Sequence, residues 1–383
     1  MKPATHALIS GSPQAVALVL GLDSPTSLGV IRSLGKQGIP VIGVGRQQHT
    51  LGGSSRYCSL CETVSSDTEL TNLLIALGNA AQCPPIIFTE SDDYLLLLDR
   101  HRLELASLRW LPTSKHPLPE LINKRSMLAL AQRENLDIPA TFFSDELPLE
   151  TILASAVYPC FIKPLLTQND YRTKGEVATT PDELIRIIHN PRFTDGYMAQ
   201  EIIPGPATNL FFYISYFDAT STPRAAITGH KIRQIPPDFG IGTLAVSQQH
   251  PEITRLSESF LRGVGYHGLA DLEFKYDPRD NRYKFIEINP RPCGLIELAR
   301  AAGLNMALLA YKELTGSSPS PLLPPAQDGL VWMSTLDDLI RCMKYNQGRD
   351  SLWEWLRMIY QKDCDAVFST QDLVPFLFNI SSR

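Results

Sequence analysis

The chain has 383 residues, of which 44% are apolar and 20% charged, and a formal net charge of −5. This length exceeds what one ordinary core supports and indicates two or three domains with a cleft between them. The charge balance gives no support to nucleic-acid binding, and no run approaches the roughly 20 apolar residues of a membrane helix. Seven cysteines without regular spacing are typical of reduced thiols, so we expect a cytoplasmic protein.

The first 120 residues alternate strand and helix signals. The β-rich runs ALVLG (17–21), PVIGVG (40–45) and PPIIFTES (84–91) are separated by helical patterns such as PTSLGVIRSLGKQG. This alternation predicts an open α/β domain with a parallel sheet. The first turn, GLDSPTSLG, lacks the GxGxxG spacing that lets a backbone approach a pyrophosphate, which argues against a nicotinamide cofactor.

Polar side chains follow two of these strands, at the sheet edge where parallel sheets bind ligands. Ser24, Thr26 and Ser27 follow the first strand, and Glu90 and Asp92 follow the third run. We interpret them as candidate substrate contacts. The alternative, in which the hydroxyls and Asp92 only cap helices, is at least as well supported by the residues alone.

A lone CxxC pair, Cys58 and Cys61, stands in SRYCSLCET. No second pair or nearby histidine completes a zinc shell, and no helix start follows as a redox pair would require. We interpret both as structural cysteines.

Lysines stand in two segments further along the chain. INKRSMLALAQRENLDIP (122–139) predicts a helix beginning near Lys124, and YPCFIKP (158–164) predicts a strand that holds Lys163. A solvent-facing role is credible for Lys124, but a buried ammonium such as that of Lys163 needs an anion. The polar stretch 165–175 predicts a mobile loop. HKIRQIPPDFGIGT (230–243) predicts a Pro/Gly-rich loop with basic residues.

The stretch LADLEFKYDPRDNRYKFIEIN predicts an antiparallel hairpin around a Pro-Arg-Asp-Asn turn. A turn centred on Asp280 places Glu273 opposite Glu287 and Asp271 opposite Asn289, all on one face. The other face would hold four apolar side chains, those of Leu272, Phe274, Ile286 and Ile288.

Two carboxylates directly across a strand pair repel each other, so a cation must neutralise them. Magnesium fits because it takes oxygen ligands and leaves positions for phosphate or water. A salt-bridge network with Lys275, Arg282 and Arg291 is the alternative.

Five motifs together, FIEINPRP, LEFKYD, CFIKP, INKRS and AQEIIPG, resemble in order and spacing the ATP-grasp superfamily. HKIRQIPPDFGIGT resembles its carboxylate-amine ligase branch, which includes D-aspartate ligase-like enzymes. The resemblance implies an α/β and α+β fold, in which an N-terminal open parallel α/β domain precedes a two-part ATP-grasp fold. The expected divisions are a first domain (1–120), a small lid subdomain (121–195), a large subdomain with the metal site (196–318) and a C-terminal helical extension (319–383).

The resemblance also implies a nucleotide site. Lys124 and Lys163 would hold the ATP phosphates beneath a lid that carries Lys174. The hinge that meets adenine and the segment after it would supply Gln200, Glu201, Ile202, Ile203 and Asn209.

Metal and catalytic roles are implied in the same way. Glu273, Glu287 and Asn289 would bind one or two Mg²⁺ ions, for which Mn²⁺ could substitute. Arg291, Lys231 and Arg233 would stabilise charge on the acyl phosphate and on the tetrahedral intermediate.

The implied reaction activates a small carboxylate, that of an amino acid or peptide, as an acyl phosphate. An amine then forms an amide, and ADP and phosphate are released. Two alternatives remain open. One is ATP-dependent carboxylation through carboxyphosphate, and the other is a non-catalytic nucleotide-binding protein. The substrates are small molecules that the sequence does not name, and neither nucleic acid nor a membrane is an expected partner.

Two departures from the family pattern stand out. Relatives often carry an acidic residue after the hinge that bonds the ribose, whereas PATNL offers only Thr208 and Asn209. Cys293 stands where an aromatic residue is common, and together with Gly294 we interpret it as part of a different substrate wall.

The C-terminal part begins with the Pro-rich linker GSSPSPLLPP (316–325). TLDDLIRCMKYN and SLWEWLRMIYQ then predict two amphipathic helices. Their aromatic faces suit a core or a dimer contact, so a homodimer is one open oligomeric state.

Overall fold

The computed structural model describes residues 1–165, 175–316, 326–345 and 352–382. Most of the predicted mobile loop (165–175), including Lys174, lies outside these residues. Most of the Pro-rich linker (316–325) lies outside them as well. Within the described residues, no helix is both long and apolar enough to cross a membrane.

The first domain is the predicted open sheet with parallel strands. Ser24 caps α2, because its side chain accepts a hydrogen bond from the Ser27 N–H. The strands pair in the order β3-β2-β1-β4-β5, with every pair parallel. Its elements are α1 (Pro3–Gly11), β1 (Ala17–Leu20), α2 (Pro25–Gly35), β2 (Val41–Gly45), β3 (Leu60–Thr63), α3 (Asp67–Ala80), β4 (Ile86–Thr89), α4 (Asp92–Arg100) and β5 (Arg109–Trp110).

A small antiparallel sheet follows, in the order β6-β9-β7-β8. Its β7 is an apolar strand interrupted by Lys163, as predicted. The elements of this part are α5 (Leu118–Ile122), α6 (Lys124–Arg133), β6 (Thr141–Phe143), α7 (Leu149–Ser155), β7 (Cys160–Pro164), β8 (Glu176–Ala178), α8 (Pro181–Ile188), a short 3₁₀ helix (Pro191–Phe193) and β9 (Tyr197–Glu201).

The third sheet is the largest and has the order β14-β13-β10-β11-β12-β15-β16. The predicted hairpin is confirmed as β13 and β14. The elements are a 3₁₀ helix (Ala207–Asn209), β10 (Leu210–Phe217), β11 (Pro223–Ile235), β12 (Ile241–Ser247), α9 (Pro251–Gly263), β13 (Gly268–Asp277), β14 (Arg282–Asn289), α10 (Ile296–Ala301) and α11 (Met306–Leu314).

The C-terminal part does more than extend the chain with helices. The two predicted helices are present, as α12 (Thr335–Tyr345) and α13 (Leu352–Gln361). In addition, β15 (Val331–Met333) and β16 (Cys364–Asp365) lengthen the large sheet, and α14 (Val374–Ser381) ends the fold. The description as a helical extension was therefore incomplete, because strands of two or three residues carry almost no periodic signal.

Candidate active site

A cavity of about 400 Å³ lies between the small sheet and the large sheet. Its wall combines the start of α6, strand β7, the segment from Gln200 to Gly205, and strands β11, β13 and β14. Nine residues predicted from the sequence line it: Lys124, Lys163, Gln200, Glu201, Ile202, Ile203, Lys231, Glu273 and Glu287.

The carboxylate pair is positioned by strand register. Glu273 pairs with Glu287 across β13 and β14, and Asp271 pairs with Asn289, as the sequence predicted. Lys231, on β11, donates from Nζ to both carboxylate oxygens of Glu273 at 2.8 Å. A lysine therefore neutralises one of the two facing carboxylates directly.

A β-bulge corrects one part of the predicted hairpin. The register shifts after Glu273, so that Phe274 pairs with Phe285 and Ile286 becomes the extra residue. Ile286 consequently lines the cavity, whereas strict alternation had placed it on the opposite face with Leu272.

A third carboxyl group, that of Asp271, lies beside this pair. Asp271 is 5% exposed, and its Oδ1 has no hydrogen-bond partner in the described part of the chain. Burial, followed by the charge of Glu273, raises the pKa of Asp271 to about 7, against the opposing effect of Lys231. A cation bound close to these three carboxyl groups would oppose this shift.

The donor set fits Mg²⁺ better than a transition metal. Glu273 and Glu287 offer carboxylate oxygens to the cavity, which magnesium prefers. Among the described residues no group of three or more His, Cys, Asp and Glu side chains is arranged to hold a metal ion. An ion here would therefore complete its shell with other oxygens, such as those of phosphate or water.

Two lysines face the carboxylates from the small-sheet side. Burial, and then the positive charge of Lys124, lowers the pKa of Lys163 to about 8, while Glu287 opposes this shift. Burial also lowers the pKa of Lys124, again against Glu287. A cavity that places two ammonium groups close enough to disfavour each other is suited to polyanions.

The polar groups of the predicted hinge mostly form hydrogen bonds and ion pairs with neighbouring residues of the protein. The Gln200 amide donates to Thr141 Oγ1 at 3.1 Å. The Glu201 carboxylate accepts from the Ala140 N–H at 3.1 Å and pairs with Arg279 at 2.5 Å. The Ile202 N–H donates to the Pro159 carbonyl at 3.2 Å.

Of the described residues with predicted nucleotide, metal or catalytic roles, four do not line this cavity. Arg233 faces away and pairs with Asp338 of α12, with 2.9 Å between guanidinium nitrogen and carboxylate oxygen. Register shifts on either side of Arg233 explain this orientation, because they interrupt the alternation that would place it beside Lys231. The others are Asn209, Asn289 and Arg291.

Arg291 instead links the large sheet to the first domain. Its Nε donates to Asp92 Oδ1 at 2.8 Å, and a terminal nitrogen donates to Asn289 Oδ1 at 3.1 Å. Asn289 in turn donates to Asp271 Oδ2 at 3.2 Å. These hydrogen bonds form a continuous chain from Asp271 to Asp92 in the predicted substrate loop.

The predicted substrate loops of the first domain contain two helix N-caps and one carboxyl group, that of Glu90, with a strongly raised pKa. Ser24 caps α2, and Ser91, rather than Asp92, caps α4. Burial and the charge of Asp23 raise the pKa of Glu90 to about 8, against Arg291. Gly21 has a φ of +77°, and a Cβ there would lie 2.6 Å from Glu90 Oε1, so the carboxyl group packs on bare backbone. Thr26 and Ser27 are buried.

Cys293 belongs to the core and not to the cavity wall. Its side chain is 6% exposed and packs in the hydrophobic cluster that joins the first domain to the large sheet. Burial raises its pKa well above the ordinary thiol value, which disfavours a nucleophilic thiolate. The neighbouring Gly294 is exposed.

The CxxC thiols lie 3.5 Å apart, sulfur to sulfur, in the first domain. They take no part in the cavity. Their placement agrees with the structural interpretation.

Several cavity residues were missed from the sequence. Phe161, on β7, stacks on Phe239 of the β11–β12 turn with ring centroids 4.5 Å apart. Phe161 could have been found, because it shares a strand face with Lys163. Gln234, Asp238 and Lys275 also line the cavity. They lie within the quoted motifs HKIRQIPPDFGIGT and LEFKYD, but no nucleotide-site role was assigned to them.

Known proteins resemble this chain in sequence. Residues 226–335 match the family model described as ATP-grasp in the biosynthetic pathway with Ter operon. D-aspartate ligase of Enterococcus faecium (strain Aus0004) is 27% identical over 277 residues, which are 66% of this chain and 61% of the ligase. The match thus spans less than two thirds of that relative's length.

Solved structures share the fold at lower identity. L-amino acid ligase from Bacillus licheniformis has a TM-score of 0.61 at 15% identity, covering 81% of this chain and 76% of that chain. N5-carboxyaminoimidazole synthetase from Staphylococcus aureus complexed with ADP has a TM-score of 0.65 at 14% identity, covering 87% of this chain and 86% of the synthetase. With the sequence matches, these structures confirm the predicted resemblance: residues 226–335 match an ATP-grasp family model, and the chain shares the fold of these two enzymes.

Proposed function

We propose that the protein is an ATP- and Mg²⁺-dependent ligase that activates a small carboxylate, that of an amino acid or peptide, and joins it to an amine. The observation that carries this proposal is the convergence of three lysines and two carboxylates in one cavity: Lys124, Lys163, Lys231, Glu273 and Glu287. The sequence relative named a D-aspartate ligase supports the ligase class.

Nucleotide binding would use the two ends of the cavity. Lys124 and Lys163 line the cavity and both interact with the charge of Glu287, so they suit the β- and γ-phosphates. The base would lie at the segment from Gln200 to Ile203, against the apolar faces of Phe161 and Ile286.

Magnesium, when bound, would neutralise phosphate charge and orient the γ-phosphate for transfer. Glu273 and Glu287 would hold it, and Asn289 lies beside them in the strand pair. Lys231 already forms an ion pair with Glu273. When Glu273 binds another cation, the Lys231 ammonium group could instead donate hydrogen bonds to a phosphate or acyl oxygen.

Carboxylate activation would occur at the first-domain end of the site. The substrate carboxylate attacks the γ-phosphorus, the bond to ADP breaks, and an acyl phosphate forms. The amine then attacks the acyl carbon and phosphate leaves. Arg291, held by Asp92 and Asn289 between the large sheet and the first domain, would stabilise the developing oxyanion.

The direct test is a screen of amino-acid and small-acid pairs for ADP formation with Mg²⁺. We expect turnover only when carboxylate, amine and Mg²⁺ are all present. Turnover that depends on bicarbonate would instead indicate carboxylation, and nucleotide binding without turnover on any pair would indicate a non-catalytic protein.

Glu287→Gln is the variant that tests the carboxylate site. It keeps the side-chain size but removes one charge from the pair, so we expect a loss of at least about 100-fold in kcat, as for groups that act in the transition state. Asp280→Asn, in the exposed hairpin turn, serves as the control with the same chemical change. A Glu287→Gln enzyme with normal activity would contradict the assignment.

We further propose a cytoplasmic location and a homodimer. All seven cysteines are free thiols, which suits a reducing compartment. Helices α12 and α13 expose Met343, Trp353 and Tyr360, side chains typical of an interface. Light scattering coupled to size-exclusion chromatography will give the mass, and a strictly monomeric protein would exclude the dimer.

A further inference from the structure

Gln234, on β11, places an unsatisfied acceptor in the cavity wall. Its side chain lines the cavity and is 5% exposed, and within residues 1–165, 175–316, 326–345 and 352–382 its Oε1 has no hydrogen-bond partner. Its Nε2 donates to the Pro237 carbonyl at 2.6 Å. Because a carbonyl can only accept, this bond fixes the orientation of the amide and leaves the oxygen as the free atom.

Strand direction shows which end of the cavity Gln234 occupies. β11 and β13 are both antiparallel to β10, so they run in the same direction. Along β13, the step from Glu273 to Lys275 leads towards the segment after the hinge, since Lys275 Nζ donates to the carbonyls of Gly205 and Pro206 at 2.8 and 2.7 Å.

The step from Lys231 to Gln234 along β11 leads the same way. Three residues of a regular strand span about 10 Å, and the register shifts beside Arg233 alter this spacing, so the Gln234 backbone lies on the hinge side of Lys231 by at most that distance. This position is between the place proposed for the phosphates and the place proposed for the base. The part of a nucleotide that connects them is the sugar.

A sugar brings hydroxyl donors, and the wall here offers few acceptors to receive them. After the hinge, Ala207 and Leu210 line the cavity, and neither side chain can accept a hydrogen bond. Asp238, on the turn that Gln234 itself anchors through Pro237, is another side-chain acceptor among the described residues that line the cavity.

We infer that Gln234 Oε1 accepts a hydrogen bond from a ribose hydroxyl, so that this residue makes the protein select ribonucleotides over deoxyribonucleotides. The inference rests on the proposed ATP site and assigns its sugar specificity to a strand that the sequence analysis had linked only to catalysis. A site built around a hydroxyl donor rejects a ligand that lacks it, because the buried acceptor then stays unpaired.

The test is calorimetric titration with ADP, 2′-deoxy-ADP and 3′-deoxy-ADP. Wild-type protein should bind ADP at least about tenfold more tightly than the deoxynucleotide that lacks the bonded hydroxyl. Gln234→Met keeps the side-chain length but has no comparable acceptor, so it should bind ADP and that deoxynucleotide equally. Gln234→Glu keeps an acceptor and should retain the preference.

Three results would overturn the inference. Gln234→Met could weaken the binding of all three nucleotides by the same factor, or leave the affinity for each of them unchanged. It could also abolish a preference for ADP over inosine diphosphate, which would assign Gln234 to the base. Thermal melting of each variant shows whether it is folded. If wild-type protein binds no nucleotide, the proposed function fails together with this inference, whereas ADP binding without a selective effect of Gln234→Met removes the inference alone.

Discussion

At the scale of residues, the site is governed by charges that the protein does not fully balance. Lys163 is held partly neutral by burial and by Lys124, while Asp271 is held partly protonated by burial and by Glu273. Both shifts are in the direction that an added ligand of opposite charge would reverse. A phosphate beside Lys163 and a cation beside the carboxylates would each relieve the imbalance.

Nucleotide affinity should therefore depend on pH. Lys163, with a pKa of about 8, is charged below pH 8 and neutral above it. If binding needs the charged form, the affinity for ADP should fall by about tenfold between pH 7 and pH 9. Titration calorimetry across this range at fixed ionic strength measures the slope.

Lys163→Arg is the matched variant, because a guanidinium stays charged over the whole range. Its affinity should fall much less. A residual slope is expected from Lys275, whose pKa is also lowered to about 8 by burial. Superimposable pH profiles of wild type and variant would contradict the role of Lys163.

The positions of individual residues were predicted correctly from the sequence where side chains alternate regularly along a strand. The facing pair Glu273 and Glu287 followed from a turn centre and a period of two, and Lys163 followed from a charge inside an apolar strand. Ile286 was misplaced by the same rule, because the β-bulge beside it inverts the alternation. Arg233 was assigned by family resemblance alone, and it pairs with Asp338 where the register of β11 shifts. A bulge depends on the partner strand, so one strand's pattern does not reveal it.

At the scale of elements, the β11–β12 turn, residues 236–240, closes one side of the cavity. Phe239 adopts a φ of +57°, uncommon for a bulky residue, and stacks on Phe161 of the small sheet. Such local strain persists where the surroundings enforce it and is frequent at ligand sites. The Pro/Gly composition predicted a loop over residues 230–243, but β11 and β12 extend into both ends of that range and leave only 236–240 as the turn. The contact across the cavity could not be predicted because it joins residues far apart in sequence.

A substitution at Gly240 tests whether this turn contributes to nucleotide binding. A Cβ at Gly240 would lie 2.1 Å from the Pro236 carbonyl oxygen, so Gly240→Ala must displace the backbone of the turn. We expect ADP affinity to fall by about tenfold, corresponding to about 1.4 kcal/mol. Gly11→Ala, where nothing lies within 4 Å of the added carbon, is the control. Equal affinities for the two variants would show that the turn does not contribute to binding.

At the scale of the whole molecule, the C-terminal part is fastened to the first domain through a buried ion pair. Arg32, on α2, is 1% exposed and donates from Nε to Asp372 Oδ2 at 3.0 Å. Asp372 also accepts from the Ser55 hydroxyl at 2.7 Å and from the Arg56 N–H at 3.1 Å. The amphipathic helices were visible in the sequence, but this pairing spans most of the chain and was not.

Asp372→Ala should leave the Arg32 guanidinium buried without its partner. We expect the free energy of unfolding to fall by about 3–5 kcal/mol. Asp99→Ala breaks the exposed Arg102–Asp99 pair and should cost about 1 kcal/mol or less. Denaturant unfolding followed by circular dichroism compares the two. Equal destabilisation would mean that the buried pair contributes no more than the exposed one.

The central claim is that the protein passes a phosphoryl group from ATP to a carboxylate. The measurement that tests it most directly uses a substrate identified by the screen, with its carboxylate labelled with ¹⁸O. Formation and breakdown of an acyl phosphate predict that one ¹⁸O atom appears in the released inorganic phosphate, detected by mass spectrometry. Label found in AMP, or phosphate free of label while amide forms, would contradict the account.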